Sequence, residues 1–200
     1  MIHVFKKKDM SQPVWVLLHG TGGDEQDLIP LAEMIDPKMS ILSIRGNVKE
    51  GTMNRYFKRL SMGVFDLDDL AKQTRILRDF IIEASHTYQF DAKNIIVLGY
   101  SNGANIAANA LLQYEDVAKA AVLMHPMIPT DIYDHRPSST RILITAGKND
   151  PICPPEQSFG LKQLLESKQM SVDLVWYASG HQISSQEVSD IQSWIQKQTG

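Results

Sequence analysis

The sequence predicts an α/β fold, with a mostly parallel central sheet and helices on both of its faces. Three observations carry that expectation. Short runs rich in β-branched residues recur at residues 14–18, 41–44, 94–98, 120–124, 141–145 and 172–176. Each run is nearly continuous rather than alternating, as strands buried on both faces of a parallel sheet require. Helical stretches lie between the runs, and that alternation closes into a parallel sheet through right-handed crossovers.

In chain order, run 14–18 leads into the glycine-rich stretch Leu18-His19-Gly20-Thr21-Gly22-Gly23, and run 41–44 leads into segment 45–64. That segment carries three glycines with Met53, Tyr56, Phe57 and Met62, too irregular for an assigned element and too apolar for a plain linker. Asp66 is suited to cap a helix running to about Tyr88, because Asp68 and Asp69 then sit in a first turn where the helix dipole favours negative charge. Leu67, Leu70, Thr74, Leu77, Ile81 and Ile82 form its apolar stripe, with Lys72, Arg75 and Arg78 towards water. A helix starting just after Ser101 should reach about Gln113 and pack Ile106, Ala110 and Leu111 inward. Segment 128–139 reads as a loop. Pro154-Pro155 opens a helix to about Ser167, and the last helix runs from Ser184 or Ser185 to Gln198 with Val188, Ile191, Trp194 and Ile195 on one side.

At 200 residues the chain is expected to form a single domain over residues 1–200, burying roughly 70% of its unfolded surface. Apolar residues make up 43% and charged residues 22%, the composition of a globular protein rather than a disordered or membrane one. A net charge of −3 with both signs scattered gives no attraction to nucleic acid or to an anionic membrane, so a small neutral partner is expected. Cys153 is the only cysteine, which excludes an intrachain disulfide and fits a reducing, cytoplasmic setting. The first eight residues place lysines after a very short apolar run, the reverse of a secretory signal, and no run is long enough to span a membrane.

The chemistry is concentrated in Gly99-Tyr100-Ser101-Asn102-Gly103. A G-x-S-x-G string arises by chance in roughly one such sequence in twenty, so its setting decides its meaning. Here it joins a buried strand to a helix, the sharp turn that projects a serine Oγ beyond the carboxyl edge of a sheet beside free helix N–H groups. A tight turn with an incidental serine is the alternative. A serine needs an adjacent base, and that base is usually a histidine oriented by a carboxylate. Among the histidines that follow Ser101, the candidates are His135 in a loop and His181 directly after run 172–176. His181 lies where a base must stand. Asp150, following run 141–145, is the matching acid, although by itself it would read as a turn residue before Pro151. Two N–H donors are needed for an oxyanion, and Thr21 and Asn102 are in position to supply them. His19 reads as a structural partner of the glycine-rich loop, and Cys153 as a small apolar filler.

Joined together, Leu18-His19-Gly20-Thr21-Gly22-Gly23-Asp24-Glu25, Arg45-Gly46, the segment from Gly99 to Asn105, Gly147-Lys148-Asn149-Asp150-Pro151 and Gly180-His181 resemble the phospholipase/carboxylesterase family of small α/β-hydrolases. Asn102 and Met124-His125-Pro126-Met127-Ile128-Pro129 resemble its bacterial branch, which includes carboxylesterases linked to hydroquinone stress. Acyl-protein thioesterases of the family often carry glutamine after the nucleophile, where this chain has Asn102. The resemblance implies an α/β-hydrolase fold, a catalytic Ser101, Asp150 and His181, oxyanion donors at Thr21 and Asn102, short- to medium-chain carboxylic esters as substrates, frequent homodimers, and no metal or organic cofactor.

Short strand-to-helix connections leave no room for a large cap domain, so an open site is expected. Segment 45–64 then becomes the candidate substrate wall through Met53, Tyr56, Phe57 and Met62, unless these side chains pack the segment onto the sheet or form a dimer contact. A thioesterase or lysophospholipase would share the same machinery. A ligand-binding homologue of the fold is disfavoured because all three triad residues are present.

Overall fold

The computed structural model describes residues 1–134 and 136–199, so His135 lies outside the described residues. The elements follow as β1 (His3–Lys6), β2 (Asp9–Leu18), α1 (Ile29–Ile35), β3 (Met39–Ile44), β4 (Val48–Glu50), β5 (Met53–Arg55), β6 (Arg59–Ser61), β7 (Val64–Phe65), α2 (Leu67–Tyr88), β8 (Ile95–Tyr100), α3 (Asn102–Gln113), β9 (Ala120–Met124), β10 (Arg141–Gly147), α4 (Pro155–Ser167), β11 (Ser171–Tyr177) and α5 (Ser185–Thr199). Among the described residues, seven strands make the central sheet in the order β1-β3-β2-β8-β9-β10-β11. Six of them are parallel neighbours, and β1 alone runs antiparallel, against β3.

Why the runs read as continuous is visible in β2. Val14, Val16 and Leu18 enter one core with Leu70, Leu77 and Ile81 of α2, Ile106 and Leu111 of α3, and Leu161 and Leu165 of α4. Trp15 and Leu17 enter a second core with Ile29, Ala32 and Ile35 of α1 and Ile191 and Ile195 of α5. Both faces of the strand are therefore apolar, and each large aliphatic side chain so buried contributes about 1.5–3 kcal/mol.

The α2 cap forms as expected, with the Asp66 carboxylate accepting from Asp69 N. At its other end Gln89 adopts a left-handed conformation and closes the helix. Two members of the expected stripe face outward instead, since Leu67 and Ile82 are exposed. Leu67 is the first residue of the helix, and Ile82 follows Ile81, which takes the inward position. Two elements had no clear sequence signal. Strand β1 is a four-residue edge, and α1 is a seven-residue helix without a side-chain cap. Segment 45–64 also contains structure, two small antiparallel hairpins formed by β4 with β5 and by β6 with β7. No described helix is long and apolar enough to cross a membrane.

Candidate active site

Ser101 stands between β8 and α3 with φ 50° and ψ −111°, a backbone conformation that costs on the order of 1–3 kcal/mol for a residue with a side chain. The surrounding backbone holds it there, with Ser101 N donating to Met124 O at 2.9 Å and Asn105 N donating to Ser101 O at 2.9 Å. Glycine is required on both sides. A Cβ on Gly99 would lie 2.8 Å from Gly103 O, and one on Gly103 would collide with the carbonyls of Leu18 and His19.

The three predicted triad residues meet in one hydrogen-bonded chain. Ser101 Oγ lies 2.9 Å from His181 Nε2, and His181 Nδ1 lies 2.7 Å from Asp150 Oδ2. Asp150 Oδ1 accepts from the N–H groups of Ile152 at 2.8 Å and Cys153 at 2.9 Å. Burial alone would raise the Asp150 carboxyl, but bonds from Cys153 N–H, His181, Ile152 N–H and His125 together hold it below the usual carboxylate range. Tyr100 secures His181 from the side by donating its hydroxyl to His181 O at 2.6 Å.

His125 was not among the candidate residues, yet it reaches the same carboxylate. Its Nδ1 lies 3.0 Å from Asp150 Oδ2 and its Nε2 lies 3.4 Å from Glu187 Oε2, with all three side chains fully buried. Burial would lower the His125 imidazole, but Glu187 and then Asp150 outweigh it and leave it raised. Glu187 also belongs to a capping box, because Ser184 N donates to its Oε2 at 3.3 Å while Glu187 N donates to Ser184 Oγ at 3.2 Å. A signal for both residues existed in the sequence. His125 directly follows run 120–124, at the same sheet edge as Ser101 and Asp150, and Ser184-Ser185-Gln186-Glu187 has the spacing of the box.

His19 is a structural residue of the first loop. Its Nδ1 meets Gly20 O at 2.6 Å, its Nε2 accepts from Gly46 N at 3.0 Å, and burial lowers its pKa. The Cys153 thiol donates to His125 O at 3.2 Å, and burial pushes it up to about 12, which keeps it a neutral thiol. Both oxyanion candidates border the site. Asn102 opens α3, where first-turn N–H groups lack helical acceptors, and its Oδ1 accepts from Tyr56 N at 2.8 Å. Thr21 is held by Arg55, whose Nη1 donates to Thr21 Oγ1 at 2.7 Å.

A cavity of about 300 Å³ opens beside Ser101 and His181. Met53 and Met62 line it, as the sequence led us to expect, together with Phe65, Met127 and Ile152. Tyr56 and Phe57 do not. They are 1% and 0% exposed and belong to the core, where Tyr56 donates its hydroxyl to Ile44 O at 2.5 Å and accepts from His19 N at 3.1 Å. Aromatic side chains in an irregular segment fill space under it more readily than they face water. Their neighbours Arg55 and Arg59, absent from the expected wall, do line the cavity. The arrangement can deliver a serine oxygen to an electrophilic carbon, take its proton on His181 and return it to a leaving group, with backbone donors beside the developing oxyanion.

The family model described as Phospholipase/Carboxylesterase matches residues 1–199. The chain is 45% identical over 200 residues to the putative hydrolase MhqD of Bacillus subtilis, covering 98% of each protein. It is 48% identical to the Bacillus cereus carboxylesterase, whose crystal structure superimposes with a TM-score of 0.96 over 98% of this chain and 93% of that one. The chain belongs to the phospholipase/carboxylesterase family and is a carboxylic ester hydrolase with the family's uncapped α/β-hydrolase architecture.

Proposed function

Proceeding from that membership, we propose that the chain is a cytoplasmic, single-domain serine carboxylesterase acting on short- to medium-chain esters through an acyl-Ser101 intermediate. The carrying observation is the unbroken chain Ser101 Oγ–His181–Asp150, with contacts of 2.9 and 2.7 Å. Ser101 Oγ attacks the ester carbonyl while His181 Nε2 takes its proton. The carbonyl oxygen becomes an oxyanion facing the N–H groups of Thr21 and Asn102. Collapse of the tetrahedral intermediate expels the alcohol, which receives the proton from His181. Water, deprotonated by the same nitrogen, then attacks the acyl-serine, and collapse of this second intermediate releases the acid as His181 returns the proton to Ser101 Oγ. Asp150 stays ionised throughout and holds the imidazole by Nδ1. The absence of large strand-to-helix insertions and the modest cavity support a small acyl group.

The test is hydrolysis of p-nitrophenyl esters of increasing chain length, set against an acyl thioester and a lysolipid. Wild type should turn over short esters best, and Ser101→Ala should lose at least about 10⁴-fold in kcat. Turnover of no ester by wild type, or equal turnover by the variant, would refute the assignment. A thioester or lysolipid preferred over every simple ester would move the substrate class and keep the machinery.

A further inference from the structure

We propose that the preferred ester carries a second, ionised carboxyl group, bound by Arg55 and Arg59 in the wall facing Ser101. This rests on the esterase reading and refines its substrate. Among the described residues lining the cavity, both arginines are present and no aspartate or glutamate is. Their shared counter-ion is Glu50, which stands behind them. Arg59 Nε and Nη2 both bond Glu50 Oε1, at 3.1 and 2.8 Å, while Arg55 Nε is 3.4 Å from Glu50 Oε2. Two guanidinium groups and one carboxylate leave one positive charge at the edge of a confined space.

Arg55 makes the stronger half of the argument. Its side chain is 4% exposed, and a buried guanidinium has five N–H donors to satisfy. Among the described residues its hydrogen bonds run from Nε to Phe57 O at 3.1 Å and from Nη1 to Thr21 Oγ1 at 2.7 Å, and its one carboxylate is Glu50, 3.4 Å from Nε and shared with Arg59. Arg59 directs Nη1 at the Met62 sulfur at 3.3 Å, a weak acceptor that a carboxylate oxygen would replace with gain. Burial and the neighbouring Arg59 lower the Arg55 pKa, with Glu50 opposing. Arg45 shows the contrast. It sits beside two carboxylates, with Nε 2.5 Å from Glu25 and Nη2 3.8 Å from Asp24, and it does not line the cavity. Because Thr21 borders Ser101 in the same cavity, an anion bound at Arg55 lies within one small substrate's length of the scissile bond.

Matched esters provide the experiment. Ethyl hydrogen glutarate is compared with ethyl pentanoate, placing the charge on the acyl side, and 4-acetoxybutanoate with butyl acetate, placing it on the alcohol side. In wild type the charged member of one pair should have kcat/KM higher by about tenfold, equivalent to ~1.4 kcal/mol. That ratio should fall towards one in Arg59→Gln, rise in Glu50→Gln, and shrink between low salt and 0.5 M NaCl, where screening is strong. A ratio at or below one in both pairs, or one that Arg59→Gln leaves unchanged, overturns the proposal. Calorimetry on Ser101→Ala with glutarate against neutral glutaramide reads binding without turnover. Arg59-dependent glutarate binding in a protein that cleaves no ester would refute the esterase reading and keep the anion site, whereas ester turnover without glutarate binding or charge preference would do the reverse.

Discussion

On the sheet side of the cavity, Ser101, His125 and Asp150 stand at the ends of three adjacent parallel strands, and their side chains are tied to one another, to His181 and to Glu187. On the other side, the wall comes from hairpins of two or three residues per strand, with Leu60 and Met62 more than 70% exposed. The difference separates two tasks. Reacting atoms need positions fixed to a fraction of an ångström, which buried strand ends and satisfied hydrogen bonds provide. Arg55 apart, which holds Thr21, a wall that contacts only the remote part of a substrate contributes binding energy, and it can vary without disturbing the chemistry.

Substitutions on the two sides should therefore differ in kind as well as size. The largest effect within the sheet side, after that of Ser101→Ala, is expected for Asp150→Asn. Its kcat on a short ester should fall by about 10⁴-fold with little change in fold, because the amide favours the wrong tautomer of His181 and supplies no charge. A loss below tenfold, measured by steady-state kinetics, would show that the acid is another residue.

His125→Asn tests the layer behind the triad through stability, with an expected cost of about 1–3 kcal/mol. Because His125 is raised in the folded protein, its contribution is fully present below the ordinary histidine value near 6.5 and is lost as pH rises through the folded value. Asp150, held low, contributes in the opposite sense, being lost only as pH falls through its folded value. Thermal unfolding of wild type and variant should thus show a gap that is widest near pH 6 and narrows towards pH 9. A gap independent of pH would mean that His125 is buried as a neutral ring.

The smallest effect belongs to the hairpin wall. Met62→Ala should change stability by less than about 0.5 kcal/mol, given its exposure, and raise KM for longer acyl chains a few-fold at constant kcat. A fall in kcat on the shortest ester would break the comparison, since it would place the wall in the chemistry.

How far the site could be read in advance follows the same division. Ser101, Asp150 and His181 were legible because each follows a continuous apolar run, and a parallel sheet brings the carboxyl ends of its strands to one edge. Tyr56 and Phe57 were expected at the wall and Arg55 was missed because segment 45–64 has no period to say which side chains face inward. The backbone settles it, with Gly46 packed so closely on the Arg55 carbonyl that a Cβ could not fit.

By itself the sequence determined the parallel core, the sharp turn that carries Ser101 and the chain order of Ser101, Asp150 and His181, since these depend on local pattern and on strand direction. Only the tertiary structure decided that Asp150 serves two histidines, that a capping-box glutamate backs one of them, and that Arg55 and Arg59 rather than Tyr56 and Phe57 face the cavity. Those contacts join residues 25 to 62 positions apart, and no local periodicity encodes a side-chain meeting at that separation.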